Sequence, residues 1–543
     1  MKNVIVGGVA GGASAAARLR RLNEEDDIIM FEKGNYISYA NCGLPYHIGG
    51  VIKSHDKLLV QTPKAFYERF RVDVRVNHEV TAIDIKTKEL TVKNHLDGSV
   101  YAETYDNLIL APGASPVIPE FVEDKNDRRF FTLNDIPDMD DIIALIEANE
   151  AKKAVVIGGG FIGLEVAENL NAIGVTVDLI ELSDHIIASA DWDMATFAAK
   201  EMIKNGIHLH LGEAVSEVKS ETDAIRVVTD KAEYKTDFVI CAIGVRPSTS
   251  FLAGSGITLD ERGAILVDET MQTNVPHVYA VGDAVKIKHF VNGKSVHIPL
   301  AGPANKQGRI AADQIAGKNT TYKGTQGSSV LKICGKTFAM TGLNEKQAEN
   351  YEKVYVPVKS HAGYYPGAEN IWIKLIFDKD SGKVLGAQAF GGAGVDKRID
   401  IIATAIRAHM TVYDLTELEL CYAPPYGSAK DPVNMVAYAA ENVLEGNIKI
   451  CHYYDIDKID PQKEVLLDVR KQKEYDAGHV EGSILIPLDE LRDRLDEVPK
   501  DKKVFVMCAA GLRSYIAYRI LTQKGYDCVS VSGGFNLYHA MKG

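Results

Sequence analysis

Two stretches of the chain share one pattern of apolar and small positions. Val4-Ile5-Val6 runs into Gly7-Gly8-Val9-Ala10-Gly11-Gly12, and a helix rich in small residues follows to Arg21. Ala154-Val155-Val156-Ile157 runs into Gly158-Gly159-Gly160-Phe161-Ile162-Gly163, with a similar helix to Ala172. An uninterrupted apolar run stopped by a turn reads as a strand buried on both faces, as in a parallel sheet covered by helices. The pattern predicts strand, tight turn and helix, twice over. Leu108-Ile109-Leu110-Ala111-Pro112-Gly113 and Phe238-Val239-Ile240-Cys241-Ala242-Ile243-Gly244 read as further buried strands, each closing one unit. From about residue 326, strands such as Trp372-Ile373-Lys374-Leu375-Ile376-Phe377 precede a helical stretch from Lys397 to Met410, without a Gly-rich phosphate loop. Glu445-Gly446-Asn447 ends a helix, and a new α/β pattern begins after a linker that closes on Cys451-His452.

Length and charge narrow this picture. A chain of 543 residues holds three or four domains, so one motif need not explain it all. The net charge of −13 argues against nucleic acid or an acidic membrane as partner. No apolar run approaches the roughly 20 residues of a membrane span, and Met1-Lys2-Asn3 leads straight into a strand, so a cytoplasmic location is expected. The seven cysteines are scattered and lack CxxC or Cys/His spacing, which predicts neither a disulfide framework nor a metal site.

The Gly-rich turns carry chemistry. Side chains must be absent where backbone amides approach a pyrophosphate at a helix N-terminus. Gly7 and Gly12 occupy the first and third glycine positions of such a loop, with Val9 at the second, whereas Gly158, Gly160 and Gly163 complete the second copy. Glu32 and Glu181 end the strands that follow, at the spacing of a carboxylate that grips a ribose. Glu181 would repel a 2′-phosphate and no arginine follows it, which favours NADH over NADPH.

Together with Thr273-Asn274-Val275-Pro276-His277-Val278-Tyr279-Ala280-Val281-Gly282-Asp283, these units resemble the two-dinucleotide flavoprotein disulfide reductases through residues 1–445. The resemblance implies FAD on the first unit, with Ala111, Gly113 and Asp283 completing its site, and nicotinamide on the second. It divides the chain into an FAD-binding domain (1–115 and 245–325), an NAD(H)-binding domain (116–244) and a dimerisation domain (326–445), hence a homodimer.

Cys42, in Ile37-Ser38-Tyr39-Ala40-Asn41-Cys42-Gly43-Leu44-Pro45-Tyr46, lies where this superfamily places its redox centre. No other cysteine is nearby, so its sulfur partner comes from outside: an oxygen species giving a sulfenic acid, or a substrate thiol giving a mixed disulfide or persulfide. The oxidases and peroxidases of the superfamily carry a histidine where Ala10 stands, so that reading lacks its acid/base. The segment is instead similar to coenzyme A disulfide reductases, with Ser38 and Asn41 in matching places. Ser14, Arg18 and Arg21 share one helix face, suited to a phosphorylated ligand. The resemblance makes them contacts of coenzyme A, together with Asn305, Lys430 and Tyr438. It also implies that Tyr364 and Tyr422, with Tyr365 and Tyr426 as alternatives, reach across the dimer to the other subunit's cysteine.

The last segment carries Val465-Leu466-Leu467-Asp468-Val469-Arg470, Gly478-His479-Val480-Glu481-Gly482 and Cys508-Ala509-Ala510-Gly511-Leu512-Arg513. It resembles a rhodanese domain over 453–543. The loop is one residue shorter than the CxxxxxR of phosphatases, favouring sulfur transfer by Cys508 with Arg513 adding positive charge. The expected fold class is thus α/β: two Rossmann-like domains, an α+β dimerisation domain and a C-terminal rhodanese α/β domain. The expected activity is NADH-dependent reduction of coenzyme A persulfide, polysulfide or coenzyme A disulfide, with small thiol and persulfide substrates and a candidate protein persulfide donor as partners. Lowered thiol pKa values at Cys42 and Cys508 would speed such exchange. An NADH oxidase or peroxidase with an appended sulfurtransferase, and a non-catalytic persulfide sensor or relay, are the rival readings.

Overall fold

The computed structural model describes residues 1–148 and 151–542. The chain forms two compact units: Met1–Asp184 with Met202–Gly327, and His185–Glu201 with Ser328–Gly543.

The first unit holds two five-stranded parallel sheets. In one, Val278–Ala280, Asn107–Leu110, Lys2–Val6, Asp27–Glu32 and Asp73–Val76 lie side by side in that order. In the other the order is His208–Leu211, Thr176–Glu181, Lys153–Ile157, Phe238–Cys241 and Phe130–Phe131. The continuous apolar runs are buried at almost every position, as strands covered on both faces require. The Gly-rich turns open the helices Ala10–Leu22 and Phe161–Ala172 at the carboxyl ends of the central strands. Open α/β sheets bind ligands at that edge. Two three-stranded antiparallel sheets, within His78–Thr104 and Val215–Thr236, accompany them. Their mixed polar alternation hides them in the sequence.

The second unit contains an antiparallel sheet ordered Ser329–Ile333, Lys336–Gly342, Val384–Gly391, Asn370–Asp378 and Tyr351–Lys359, with helices Val395–Arg407 and Pro432–Leu444 against it. It also contains a five-stranded parallel sheet ordered Ile450–Cys451, Cys528–Val531, Lys503–Met507, Glu464–Asp468 and Ile484–Leu485. The stretch read as a linker thus supplies that sheet's edge strand. Lys374 lies fully buried among Asp191, Asp193 and Glu345, whose carboxylates converge within 4.8 Å of one another. Among the described residues no helix is long and apolar enough to cross a membrane.

Candidate functional site

Both Gly-rich turns are built on close backbone approach. Gly7 and Gly158 adopt φ of +99° and +110°, and a Cβ there would fall 2.0 Å from the Ala111 carbonyl oxygen and 2.5 Å from that of Ala242. A Cβ on Gly12 or Gly163 would strike the carbonyl oxygen of Gly7 or Gly158 within 2.0 Å. A Cβ on Gly160 would meet no protein atom within 4 Å, which leaves that loop open to a ligand. The ribose-type carboxylates sit in matching ways. Glu32 accepts from the Gly8 and Gly34 amides at 2.9 Å each, and Glu181 from the Gly159 and Ser183 amides at 2.6 and 2.8 Å. Each carboxylate oxygen keeps acceptor capacity for a hydroxyl. Asp283 lies in the turn Gly282–Ala284, where burial pushes its carboxyl up, and hydroxyl donors of a bound ribityl chain would relieve that cost. Gly113, also at positive φ (+68°), accepts from the Ser248 amide.

Cys42 occupies the short helical turn Asn41–Gly43, ahead of Leu44–Ile48. Ser38, in the left-handed region at φ 44°, ties this segment to the first Gly-rich turn through its amide and the Gly8 carbonyl, 2.9 Å apart. Asn41 and Cys42 are exposed. Packing around the sulfur nevertheless pushes the Cys42 thiol up, and the charges of Glu165 and Asp283 add to that. The protein alone therefore opposes a ready thiolate, contrary to the expectation of a lowered value. Glu165 went unnoticed in the sequence. It lies on Phe161–Ala172, accepts a 2.9 Å hydrogen bond from the Tyr46 hydroxyl, and has its carboxyl pushed up by burial. Its place one turn beyond Gly160 was the only sequence signal.

Ser14, Arg18 and Arg21 are among the few unburied positions of Ala10–Leu22. Ser14 donates to Asn305 Oδ1 at 2.6 Å, bringing two candidate ligand contacts together on adjacent helices. Arg18 is committed to Asp313 through Nε and Nη2, both 2.7 Å from Oδ1. Arg21 is exposed, without an ion pair among the described residues. The face presents one free guanidinium rather than two.

In the second unit the hydroxyls of Tyr364 and Tyr422 lie 3.0 Å apart, although the rings are 77% and 48% exposed. Tyr365 and Tyr426 are exposed but do not join this pair. Lys430 is exposed, and the Tyr438 hydroxyl lies 3.5 Å from the Thr416 carbonyl.

Cys508 is 1% exposed at the end of Lys503–Met507, where the Gly511 amide donates to its sulfur at 3.1 Å. The Ser514 hydroxyl lies 3.6 Å from that sulfur and is hydrogen-bonded to Gly511 and Ser530. Amides of Phe535 and Asn536 donate to the Cys508 and Ala509 carbonyls at 2.8 and 3.0 Å, pinning the loop from behind. Arg513 is held in a two-bond fork by Glu474, at 2.6 and 2.7 Å, and this pairing keeps the Glu474 carboxyl down at about 2. Nothing in the spacing marked Glu474 as the partner. Of the remaining cysteines, Cys241 and Cys528 are buried and Cys334 and Cys451 half-buried, whereas Cys421 is exposed beside Tyr422.

Comparison with known proteins identifies the domains. The chain matches the family described as pyridine nucleotide-disulphide oxidoreductase over residues 1–308 and its dimerisation domain over 329–432, and a rhodanese-like domain over 455–541. It is 39% identical to the coenzyme A disulfide reductase of Staphylococcus aureus over 443 residues, 81% of this chain and 100% of that one. Among solved structures it is similar to reduced CoADR-RHD of Bacillus anthracis, with 50% identity, TM-score 0.97 and coverage of 99% and 98% of the two chains. An NAD-dependent persulfide reductase from A. fulgidus aligns at 36% identity and TM-score 0.92, over 99% and 100%.

Proposed function

The chain belongs to the pyridine nucleotide-disulphide oxidoreductase family and carries a rhodanese-like domain, and on that premise we propose that it is an NADH-dependent reductase of coenzyme A persulfide, with polysulfide and coenzyme A disulfide as further substrates. The observation that carries this reading is the isolation of Cys42. In the first unit the only other cysteine is Cys241, which is buried on Phe238–Cys241, so the sulfur that Cys42 exchanges must arrive on a substrate.

Cys42 as thiolate attacks the outer sulfur of coenzyme A persulfide. The S–S bond of the substrate breaks, coenzyme A thiolate leaves, and Cys42 becomes a persulfide. Two electrons from NADH then cleave that persulfide, releasing hydrosulfide and restoring the thiolate. The sum is NADH, a proton and coenzyme A persulfide giving NAD⁺, coenzyme A and hydrogen sulfide. Bound FAD would supply the relay of that electron pair between nicotinamide and sulfur. The cradle of Gly7, Gly12, Glu32, Ala111, Gly113 and Asp283 suits it, and that of Gly158, Gly160, Gly163 and Glu181 suits NADH. Ser14, Arg21, Ser38, Asn41, Asn305, Lys430 and Tyr438 serve the coenzyme A moiety, and Arg18, paired with Asp313, supports that face. In a homodimer, the Tyr364–Tyr422 pair of one protomer donates a proton to the sulfur leaving the Cys42 of the other. Cys508 carries sulfane sulfur to or from coenzyme A beside the Gly511 amide, which would stabilise a sulfur anion there, and a protein persulfide is one source of that cargo.

A substrate panel with NADH, reading sulfide and free coenzyme A together, tests this. Faster re-oxidation of the reduced enzyme by oxygen or peroxide than by coenzyme A persulfide, in anaerobic stopped flow, would overturn it.

A further inference from the structure

The Tyr364–Tyr422 pair stands on exposed segments, and what holds it lies beneath. Arg398, on Val395–Arg407, is 1% exposed. Its Nη2 donates to the Ser360 carbonyl at 3.2 Å, at the root of the segment that carries Tyr364. The same nitrogen lies 3.4 Å from the Tyr426 carbonyl, in the segment that carries Tyr422, and 3.0 Å from Asp431 Oδ2. Nη1 donates to the Gly394 carbonyl at 3.1 Å. Asp431 in turn caps Pro432–Leu444 by accepting from the Val433 amide at 3.0 Å. One guanidinium thus joins the bases of both tyrosine segments to two helix N-termini. Beyond it and the tyrosine hydroxyls, the one backbone hydrogen bond between the segments among the described residues runs from the Ala362 amide to the Pro424 carbonyl at 3.3 Å.

Stability alone does not call for this arrangement. The Arg398 Nε is buried without a partner among the described residues, which costs free energy. Buried ion pairs are often replaceable by apolar residues without loss of stability, and their best-attested use is to fix register. Gly394, at φ +85°, leaves room for the group, because a Cβ there would fall 2.2 Å from Nη1.

We propose that Arg398 is a positioning residue for sulfur reduction, holding the two tyrosine segments in the register that brings the Tyr364 and Tyr422 hydroxyls together as one proton donor. This rests on the reading of the tyrosines as donors. Lysine keeps the charge but lacks the fork that serves several acceptors at once. In the FAD-loaded enzyme, Arg398→Lys should lower kcat for coenzyme A disulfide about tenfold, with KM and the rate of flavin reduction by NADH unchanged. Tyr364→Phe added to Arg398→Lys should bring no further loss beyond Tyr364→Phe alone, because the hydroxyl being positioned is already gone. Asp431→Asn retains a capping oxygen and removes the charge partner, so it should act in the same direction and provides the same cycle if the lysine variant does not fold.

Additive losses in the double variant, a matching fall in flavin reduction, or full activity in both Arg398→Lys and Asp431→Asn would overturn the positioning role. Wild-type rates in Tyr364→Phe and Tyr422→Phe alone would instead overturn the donor reading on which it stands.

Discussion

The phenol oxygens of Tyr364 and Tyr422 lie 3.0 Å apart across a sequence separation of 58 residues. Within such a pair one hydroxyl donates to the other and leaves a single proton directed outward. The hydrogen bond between them pushes the Tyr364 phenol up. Replacing either residue with phenylalanine should lower kcat for coenzyme A disulfide by about 10²-fold, the lower range for loss of a general acid. The double variant should be little worse than either single one, because groups that act as a unit are not additive. Steady-state turnover beside single-turnover flavin reduction by NADH checks this, since only the former should change.

Cys508 and Cys42 lie in different compact units. Cys508→Ser removes the sulfur acceptor of the rhodanese-like loop without touching the dinucleotide cradles. Reduction of coenzyme A disulfide should remain within about twofold of wild type, a surface-like effect in energy terms. Sulfide release from persulfide donors should fall at least about tenfold. Equal loss of both activities would contradict the division of labour between the two thiols.

The parts of this molecule that were legible in the sequence are those with local physical causes. Gly7, Gly12, Gly158 and Gly163 announce themselves because a Cβ would collide with a backbone carbonyl a few residues or one strand away. Glu32 and Glu181 follow because a strand end fixes where a carboxylate points. Cys508 was recognisable from the short loop between it and Arg513, which resembles that of a rhodanese domain, and the Gly511 amide meets its sulfur. The illegible parts depend on residues distant in sequence. Arg398 reads as an ordinary helical charge until Ser360 and Asp431 are seen on it. Lys374 stands in the sequence only as one position of a strand, yet no part of it is exposed. Arg18 was grouped with Arg21 by helical spacing, and only the fold reveals Asp313 opposite it. Residues 185–201 belong to the second unit although both flanks belong to the first, a division that no composition change signals.

Glu165 offers a handle on the Cys42 thiol. Packing around the sulfur is the largest influence raising it, followed by the carboxylates of Glu165 and Asp283. Glu165→Gln keeps an acceptor for the Tyr46 hydroxyl but removes one negative charge, so the thiol should ionise at lower pH than in the wild type. The rate of alkylation of the reduced enzyme by iodoacetamide, followed against pH, should show its midpoint displaced downward. An unmoved or raised midpoint would mean that Glu165 does not act on the sulfur electrostatically.

The buried cluster around Lys374 makes the strongest prediction about stability. Its Nζ lies 2.9 Å from both Asp191 and Asp193 and is bonded to Glu345, which also binds Lys353, while the Tyr355 hydroxyl binds Asp193. Burial alone would raise the Glu345 carboxyl, but the charges of Lys374 and Lys353 overcome it and hold the group down at about 2. Lys374→Met leaves three carboxylates facing one remaining ammonium, and loss of one partner from a buried pair costs about 3–5 kcal/mol. The pH dependence has a definite sign. A carboxylate depressed in the folded state contributes stability that is complete above its unfolded value of 4.5 and is lost as pH falls toward about 2. Burial already holds the Asp191 carboxyl up beside Lys374, and without Lys374 the Glu345 carboxyl also loses its largest charge partner, so both folded values rise and protonation favours the folded variant more than it does the wild type. The deficit in thermal midpoint between Lys374→Met and wild type should therefore be largest near neutral pH and shrink below the unfolded value of 4.5. A deficit that stays constant across that range would mean that lost packing, rather than uncompensated charge, is what the variant suffers.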